Sequence, residues 1–293
     1  MATLRAIRRR IKSIKSISQV TRAMEMVAAS KMRRAQLATI ASRPYADKAR
    51  QILAYVAAQP GRSKTLHPLL EERKEVKNIQ LILLTSDRGL CGAFNVNIIR
   101  KANDFMKEQK KPFKLITIGK RGREFATRYG KELTAEFSGL SDKPRIGQVG
   151  PITTIAIQEF TAGHVDEVYI AYTDFENVLR QHPTVRRLLP IQAPSEEHTG
   201  AGAVYLYEPN PEALLSSILP RFTELQIYQA LLESVASEHS ARMVAMRNAT
   251  DNAHELIDGL TLVMNKARQS SITKEMLDIA GGAEALKKSL AAK

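Results

Sequence analysis

Apolar residues fall on helical stripes at both ends of the chain and in short, mainly apolar runs in its middle. At the N-terminus Leu4, Ile7, Ile11 and Ile14 stand at alternating spacings of three and four, the pattern of a helix that buries one face against a single partner helix. Ile17, Val20, Met24 and Val27 continue it after a one-step slip of frame, which is expected to overwind the pair locally. Beyond the slip the seam turns small and soft, through Met24, Ala28, Met32 and Ala35. Pro44 is expected to kink or interrupt this helix. The pattern resumes at Ile52, Leu53 and Val56, and Gln59-Pro60-Gly61 ends it. Unbroken, the segment would run roughly 80 Å.

The C-terminal stripe is longer. Asn210 suits an N-cap and Pro211 a first helical position. From Leu215 a heptad then runs without a slip through Ile218, Phe222, Leu225, Gln229, Leu232, Ala236, His239, Met243, Met246, Thr250, Ala253, Ile257, Leu260 and Met264 to Ala267. Only Gln229, His239 and Thr250 are polar on that seam. Pro220 is expected to bend the first turns, and Gly281-Gly282 to mark the fraying end. A helix from Pro211 to about Ala280 spans on the order of 105 Å. Its seam needs a partner of comparable length, and the N-terminal helix is the candidate. The two are expected to pair antiparallel, the C-terminal one projecting beyond its mate.

Between them Ile79–Thr85, Leu115–Gly119 and Val168–Tyr172 read as buried strands rich in branched residues. Helical stretches at Asn95–Gln109, Arg121–Tyr129 and Ile152–Ala162 separate or follow them, and Val185–Leu189 and Val204–Tyr207 add later, hairpin-like strands. Strand, helix, strand at this spacing predicts an open α/β (Rossmann-like) sheet. The expected fold is thus a long antiparallel two-helix coiled coil from both termini plus a central α/β domain. Its parts are an N-terminal coiled-coil helix at 1–58, a linker at 59–77, the central domain at 78–208 and a C-terminal coiled-coil helix at 209–293.

Charge changes this picture more than composition does. The 293 residues carry a formal net charge of +14, which calls for acidic partners: nucleic acid, an anionic membrane surface or acidic protein loops. From Met1 to Arg43 the one acidic residue is Glu25, set among Arg5, Arg8, Arg9, Arg10, Lys12, Lys15 and further bases. Such an Arg- and Ser-rich start also describes an organellar transit peptide. Cys91 is the one cysteine, which excludes an internal disulfide, and the six histidines are scattered without metal-ligand spacing. No apolar run reaches the length of a membrane span.

The candidate sites are few. Thr85-Ser86-Asp87-Arg88-Gly89-Leu90-Cys91-Gly92 follows the first strand and opens a helix, where a doubly wound fold binds phosphate. It lacks both glycine-rich phosphate fingerprints, so the favoured reading is a tight strand-to-helix turn with Cys91 as a small core residue. Asp174 and Glu176 read as a solvated strand edge, and His239 as a packed helix-interface residue. The basic N-terminus could bind nucleic acid, yet it has no aromatic before Tyr45 and the chain has no Trp for base stacking. Asn265–Glu275 is polar for a paired helix, and donors such as Arg268 and Gln269 suit a partner protein.

Four stretches, Ile17–Met32, Ser86–Gly92, Ser240–Asn252 and Asn265–Glu275, resemble the gamma subunit of F-type ATP synthases, and the likeness covers essentially the whole chain. The resemblance implies a shaft rotating inside a ring of alpha and beta subunits, non-catalytic and without cofactor or metal. Its implied partners are the alpha, beta, epsilon and delta subunits and the membrane rotor ring of c subunits. It implies that Met24 meets the lever loops of beta, that Arg268, Gln269 and Thr273 contact the catalytic ring, and that Tyr205, Tyr207 and Glu208 lie near the rotor ring. The basic start runs straight into the shaft motif, leaving no room for a cleavable leader. This gives the expectation of a bacterial chain, peripheral on the cytoplasmic side of the inner membrane. An α/β enzyme with oligomerising helices and a basic nucleic-acid binder remain the competing readings.

Overall fold

The computed structural model describes residues 4–57, 67–140, 144–178, 180–192 and 211–291. Two compact units emerge, 1–26 with 245–293, and 27–244. The division crosses both long helices, α1 (Leu4–Ala57) and α5 (Pro211–Ala291).

In the first unit the two helix segments pair antiparallel. Ser18 meets His254, Thr21 meets Thr250 and Glu25 meets Arg247, so numbers rise on one helix as they fall on the other. The expected slip of frame is absent. Leu4, Ile7, Ile11 and Ile14 are succeeded inside the seam by Ser18, Thr21 and Glu25, while Ile17 is 53% and Val20 59% exposed. An unbroken three-four alternation holds the inner face in one frame. Its polar residues find partners on the other helix, so nothing forces an overwound turn. On α5 Met246, Thr250 and Ala253 are buried, and Ile257, Leu260, Met264 and Ala267 are half-buried. Residues 272–284 are all exposed, beyond the level at which α1 begins.

The expected end at Gly281-Gly282 is corrected too, because α5 continues to Ala291. Ala283, Glu284, Ala285, Leu286, Lys287 and Lys288 are strong helix formers, and they offset a glycine cost of about 1 kcal/mol each. At 81 residues α5 is about 120 Å long. Neither Pro44 nor Pro220 interrupts its helix. Asn210 and the strand expected at Val204–Tyr207 lie outside the described residues.

The second unit is built on a sheet of order β3-β2-β1-β4-β5. Its strands are β1 (Ile79–Leu84), β2 (Phe113–Ile118), β3 (Glu132–Phe137), β4 (Glu167–Phe175) and β5 (Gln181–Leu189). All neighbours are parallel except the β4–β5 hairpin. Helices α2 (Phe94–Gln109) and α3 (Lys120–Arg128) cover one face, where Ile98, Ala102 and Phe125 pack on Leu81, Leu83 and Leu115. On the other face α4 (Gly150–Thr161) and α5 cover Ile82, Ile116 and Ile170 with Ile152, Phe160, Leu219, Ile227 and Leu231. Strand β1, central and covered on both sides, is buried at all six positions, which is why it reads as an apolar run interrupted only by the buried Gln80. Within this unit α5 also buries Leu225, Leu232 and Ala236, and α1 buries Ala28, Ala35 and Thr39. A helix apolar on more than one face is one that packs on more than one side.

Candidate functional site

In the helical unit polar side chains join the apolar seam inside, and several large apolar side chains stay outside. Ser18 Oγ lies 3.3 Å from His254 Nε2, and the Thr21 and Thr250 hydroxyls are 2.7 Å apart. Glu25 is 6% exposed. Its Oε1 accepts from Arg247 Nε at 3.0 Å and its Oε2 from Arg22 Nη1 at 3.3 Å. Both arginines stay largely in water, so the carboxylate is neutralised without two further charges being desolvated. Outside, Ile17, Val20 and Met26 on α1 and Leu256, Leu262 and Val263 on α5 are exposed, followed by Ile272, Met276, Leu277 and Ile279. Exposed Arg5, Arg8, Arg9, Arg10, Lys12 and Lys15 share this surface.

Met24 is half-buried beside Glu25, and Arg268, Gln269 and Thr273 are exposed on α5. Thr273 Oγ1 donates to the Gln269 carbonyl at 3.0 Å. Met24 faces the level of residues 247–250, so it stands about 30 Å along the axis from Arg268. These residues form two separate stations on one unit. Tyr205, Tyr207 and Glu208 lie outside the described residues. The sequence reading passed over Ser18, Thr21 and Glu25, although their unslipped spacing from Ile14 was the available signal.

In the second unit the turn after β1 is committed to internal bonds. Asp87 accepts from the Lys120 N–H at 3.0 Å and from the Gly139 N–H at 2.8 Å. Asn95 Oδ1 accepts from the Ser86 N–H, while Asn95 Nδ2 donates to Ser86 Oγ and to Cys91 Sγ. Gly119, at φ +96°, lies so close to Thr85 that a Cβ would meet the Thr85 carbonyl oxygen at 2.2 Å. Arg242 Nη2 donates to the Arg88 and Gly89 carbonyls at 3.4 and 3.3 Å, and Arg242 Nη1 reaches Glu238 at 2.7 Å. Burial pushes the Cys91 thiol above its ordinary value, and Ser86 and Arg242 pull it back only in part. A buried thiol of that kind is a poor nucleophile. The turn is a latch on α5, in keeping with the tight-turn reading. His239 is buried on the seam, as expected.

Glu176 is exposed and bonded to His182 at 2.8 Å. Asp174 departs from the solvated-edge reading: it is half-buried, and burial first, then the nearby Asp174 charge, push the Glu233 carboxyl of α5 up to about 7. No cluster of three or more acidic, His or Cys ligands occurs among the described residues, and no helix there is long and apolar enough to cross a membrane.

The chain thus combines a long antiparallel helical pair, its seam partly polar and its outside carrying apolar and basic side chains, with a mixed α/β sheet. The chain matches the family described as ATP synthase over residues 3–286. It is 50% identical over 286 residues to the ATP synthase gamma chain of Dehalococcoides mccartyi strain CBDB1, covering 98% of this chain and 100% of that one. It is 48% identical over 289 residues to the gamma chain of Chloroflexus aurantiacus strain J-10-fl, covering 98% and 99%. This chain therefore belongs to the gamma-subunit family of F-type ATP synthases. Among solved structures it resembles a chain of the Euglena gracilis mitochondrial ATP synthase (OSCP, F1 and c-ring, rotational state 3), with TM-score 0.68 and 20% identity over 97% of this chain and 94% of that one. A chain of the Tetrahymena thermophila mitochondrial ATP synthase central stalk and c-ring matches with TM-score 0.60 and 24% identity, over 78% of this chain and 99% of that one. At these identities the likeness speaks for the fold alone.

Proposed function

We propose that the helical unit is the bearing and working face of a rotor shaft. As a gamma subunit, the chain is the central shaft of an F-type ATP synthase. The observation that supports assigning the work to this unit is its inverted surface. Ile17, Val20, Leu262, Val263 and Ile272 lie in water among clustered bases while Ser18 and Glu25 are buried and Thr21 is half-buried on the seam. Apolar contact without fixed polar partners lets one surface rest against several positions of a surrounding ring. In this reading Met24 faces the lever loops of beta, Arg268, Gln269 and Thr273 face the catalytic ring, and Tyr205, Tyr207 and Glu208 face the rotor ring.

The chain is non-catalytic; ATP chemistry belongs to beta, and ion flow through the c subunits turns the shaft. Its partners are alpha, beta, epsilon and delta. It works peripherally at the cytoplasmic side of a bacterial inner membrane. The purified chain is expected to show no ATPase, to gain it on assembly with alpha and beta, and to retain epsilon in fixed ratio. ATP hydrolysis by the chain alone would overturn this reading.

A further inference from the structure

The parallel connections of the sheet gather one set of loops at one end of the second unit. Ile79 stands opposite Phe113 and Lys114 opposite Glu132 in the ladders, so β1, β2 and β3 all begin at that end. Each crossover helix runs back against its strands, and α2 and α3 therefore finish there as well. Their exits are basic. Lys107 lies in the last turn of α2, Lys110 and Lys111 follow it, Arg128 ends α3, and Lys131 leads into β3. The exits feed neighbouring strands about 4.8 Å apart, so their charges fall within about one Debye length, roughly 10 Å.

Among the described residues none of these five bases is held in an ion pair. The acids around them are mostly taken. Glu159 is paired with Lys114 at 3.0 Å, Asp166 with Arg73 at 2.9 Å and Glu167 with Arg187 at 3.4 Å. Asp104, Glu108 and Glu132 stay exposed beside the bases, and the balance remains positive. Helix dipoles favour cations at a C-terminus, which accounts for Lys107, Lys110 and Arg128 but not for Lys111 and Lys131. One aromatic stands among them. Tyr129 is 64% exposed, and its ring lies 5.1 Å from that of Phe125, which is buried in the sheet core. The ring is thus anchored at its base and held out to solvent.

We propose that this end of the second unit docks on an anionic phospholipid surface, the five bases on the headgroups and Tyr129 at headgroup level. An aromatic ring with one apolar and one wet end suits that interface. Four of the five bases are lysines, compact point charges without the planar fork of bidentate recognition. Set on two separate helix exits, they fit a diffuse negative surface better than a folded acidic partner. The proposal deepens the peripheral membrane placement given above and rests on it. Assembly with alpha and beta reports on the shaft separately, so either can fail alone.

The chain has no Trp, so Tyr129→Trp gives the full chain a single fluorophore in the patch. Its emission should shift to the blue with vesicles of phosphatidylglycerol and phosphatidylcholine in equal parts. Pure phosphatidylcholine vesicles should leave it unchanged, and added salt should reverse the shift. Val96→Trp is the positional control: Val96 is 55% exposed in the first turn of α2, at the opposite end of the sheet. Its emission should stay unshifted. Replacing the five bases by Gln in the Tyr129→Trp chain should lower vesicle affinity at least about tenfold. Replacing Arg5, Arg8, Arg9, Lys12 and Lys15 by Gln removes the same charge from α1 and should leave most of the shift. An unshifted Tyr129→Trp chain, an equal shift in Val96→Trp, or equal losses in the two Gln variants would overturn the proposal. A shift with poly-glutamate but not with vesicles would overturn it in favour of an acidic protein partner.

Discussion

The two units of this chain solve burial in different ways. In the sheet unit the core is mainly apolar: β1 is buried throughout, Gln80 included, and Phe160, Ile152, Ile98 and Leu115 fill both faces. In the helical unit the seam sets hydroxyls and a carboxylate beside Ile7, Met246 and Ala253, while Ile17, Val20, Leu262 and Val263 are exposed. The sheet unit spends its apolar residues on its own stability. The helical unit keeps many of them in water, where they contribute little until a partner covers them. A unit that must be gripped by other chains has a reason to be built this way, whereas a unit that serves as a foundation does not.

The comparison breaks most easily in the sheet unit. Phe160 is 1% exposed, packs in the core beneath α5, and has the Arg73 guanidinium 5.3 Å above its ring. Phe160→Ala is expected to cost about 3–5 kcal/mol, from lost burial and the cavity left behind. Urea unfolding should show a lower midpoint with little change of slope. A loss below about 1 kcal/mol would mean that this core is far looser than its burial says.

A smaller effect sharpens the other side. The Thr21 and Thr250 hydroxyls bond across the helical pair, and each also has a carbonyl on its own helix, Ser18 and Met246. Thr21→Val alone should cost about 1 kcal/mol by removing the hydrogen bond across the pair. Adding Thr250→Val should cost less than its single effect, because that shared bond can be lost only once. Thermal melts of the two single variants and the double variant measure this coupling. Simple additivity would mean that the hydroxyl pair contributes nothing as a pair.

What could be read beforehand divides along physical lines. The α5 seam from Leu215 to Ala267 is buried or half-buried at every named position, because a long heptad leaves few alternatives. On α1 the same reasoning followed hydrophobicity to Ile17 and Val20 when the frame led to Ser18 and Thr21. Polar seam residues with partners more than 200 positions away cannot be told in advance from exposed ones. Strand β3 was missed because Glu132–Phe137 alternates partly buried and exposed positions at the sheet edge, without the apolar run that marked β1. The half-burial of Asp174 depends on how the elements around β4 pack, which no local pattern records. The proposed contacts at Met24 and Thr273 rest on family resemblance alone, whereas Arg268 and Gln269 also stood out as donors in a stretch that is polar for a paired helix.

The smallest expected effect on stability tests the inversion most directly. Ile17→Ser and Val20→Ser replace side chains that are already more than half in water, so the free chain should change by less than about 0.5 kcal/mol. Ile14→Ser, on the inner seam three residues before Ile17, should by contrast weaken the helical pair by removing part of a buried stripe. If the outer stripe is a contact surface, the ranking reverses on assembly with alpha and beta. The Ile17 and Val20 variants should then assemble with reduced affinity or run with reduced ATPase coupling, although their free chains melt like wild type. Equal melting together with unaltered assembly would mean that these apolar residues face water in the working complex as well. The inverted surface would then lose its explanation.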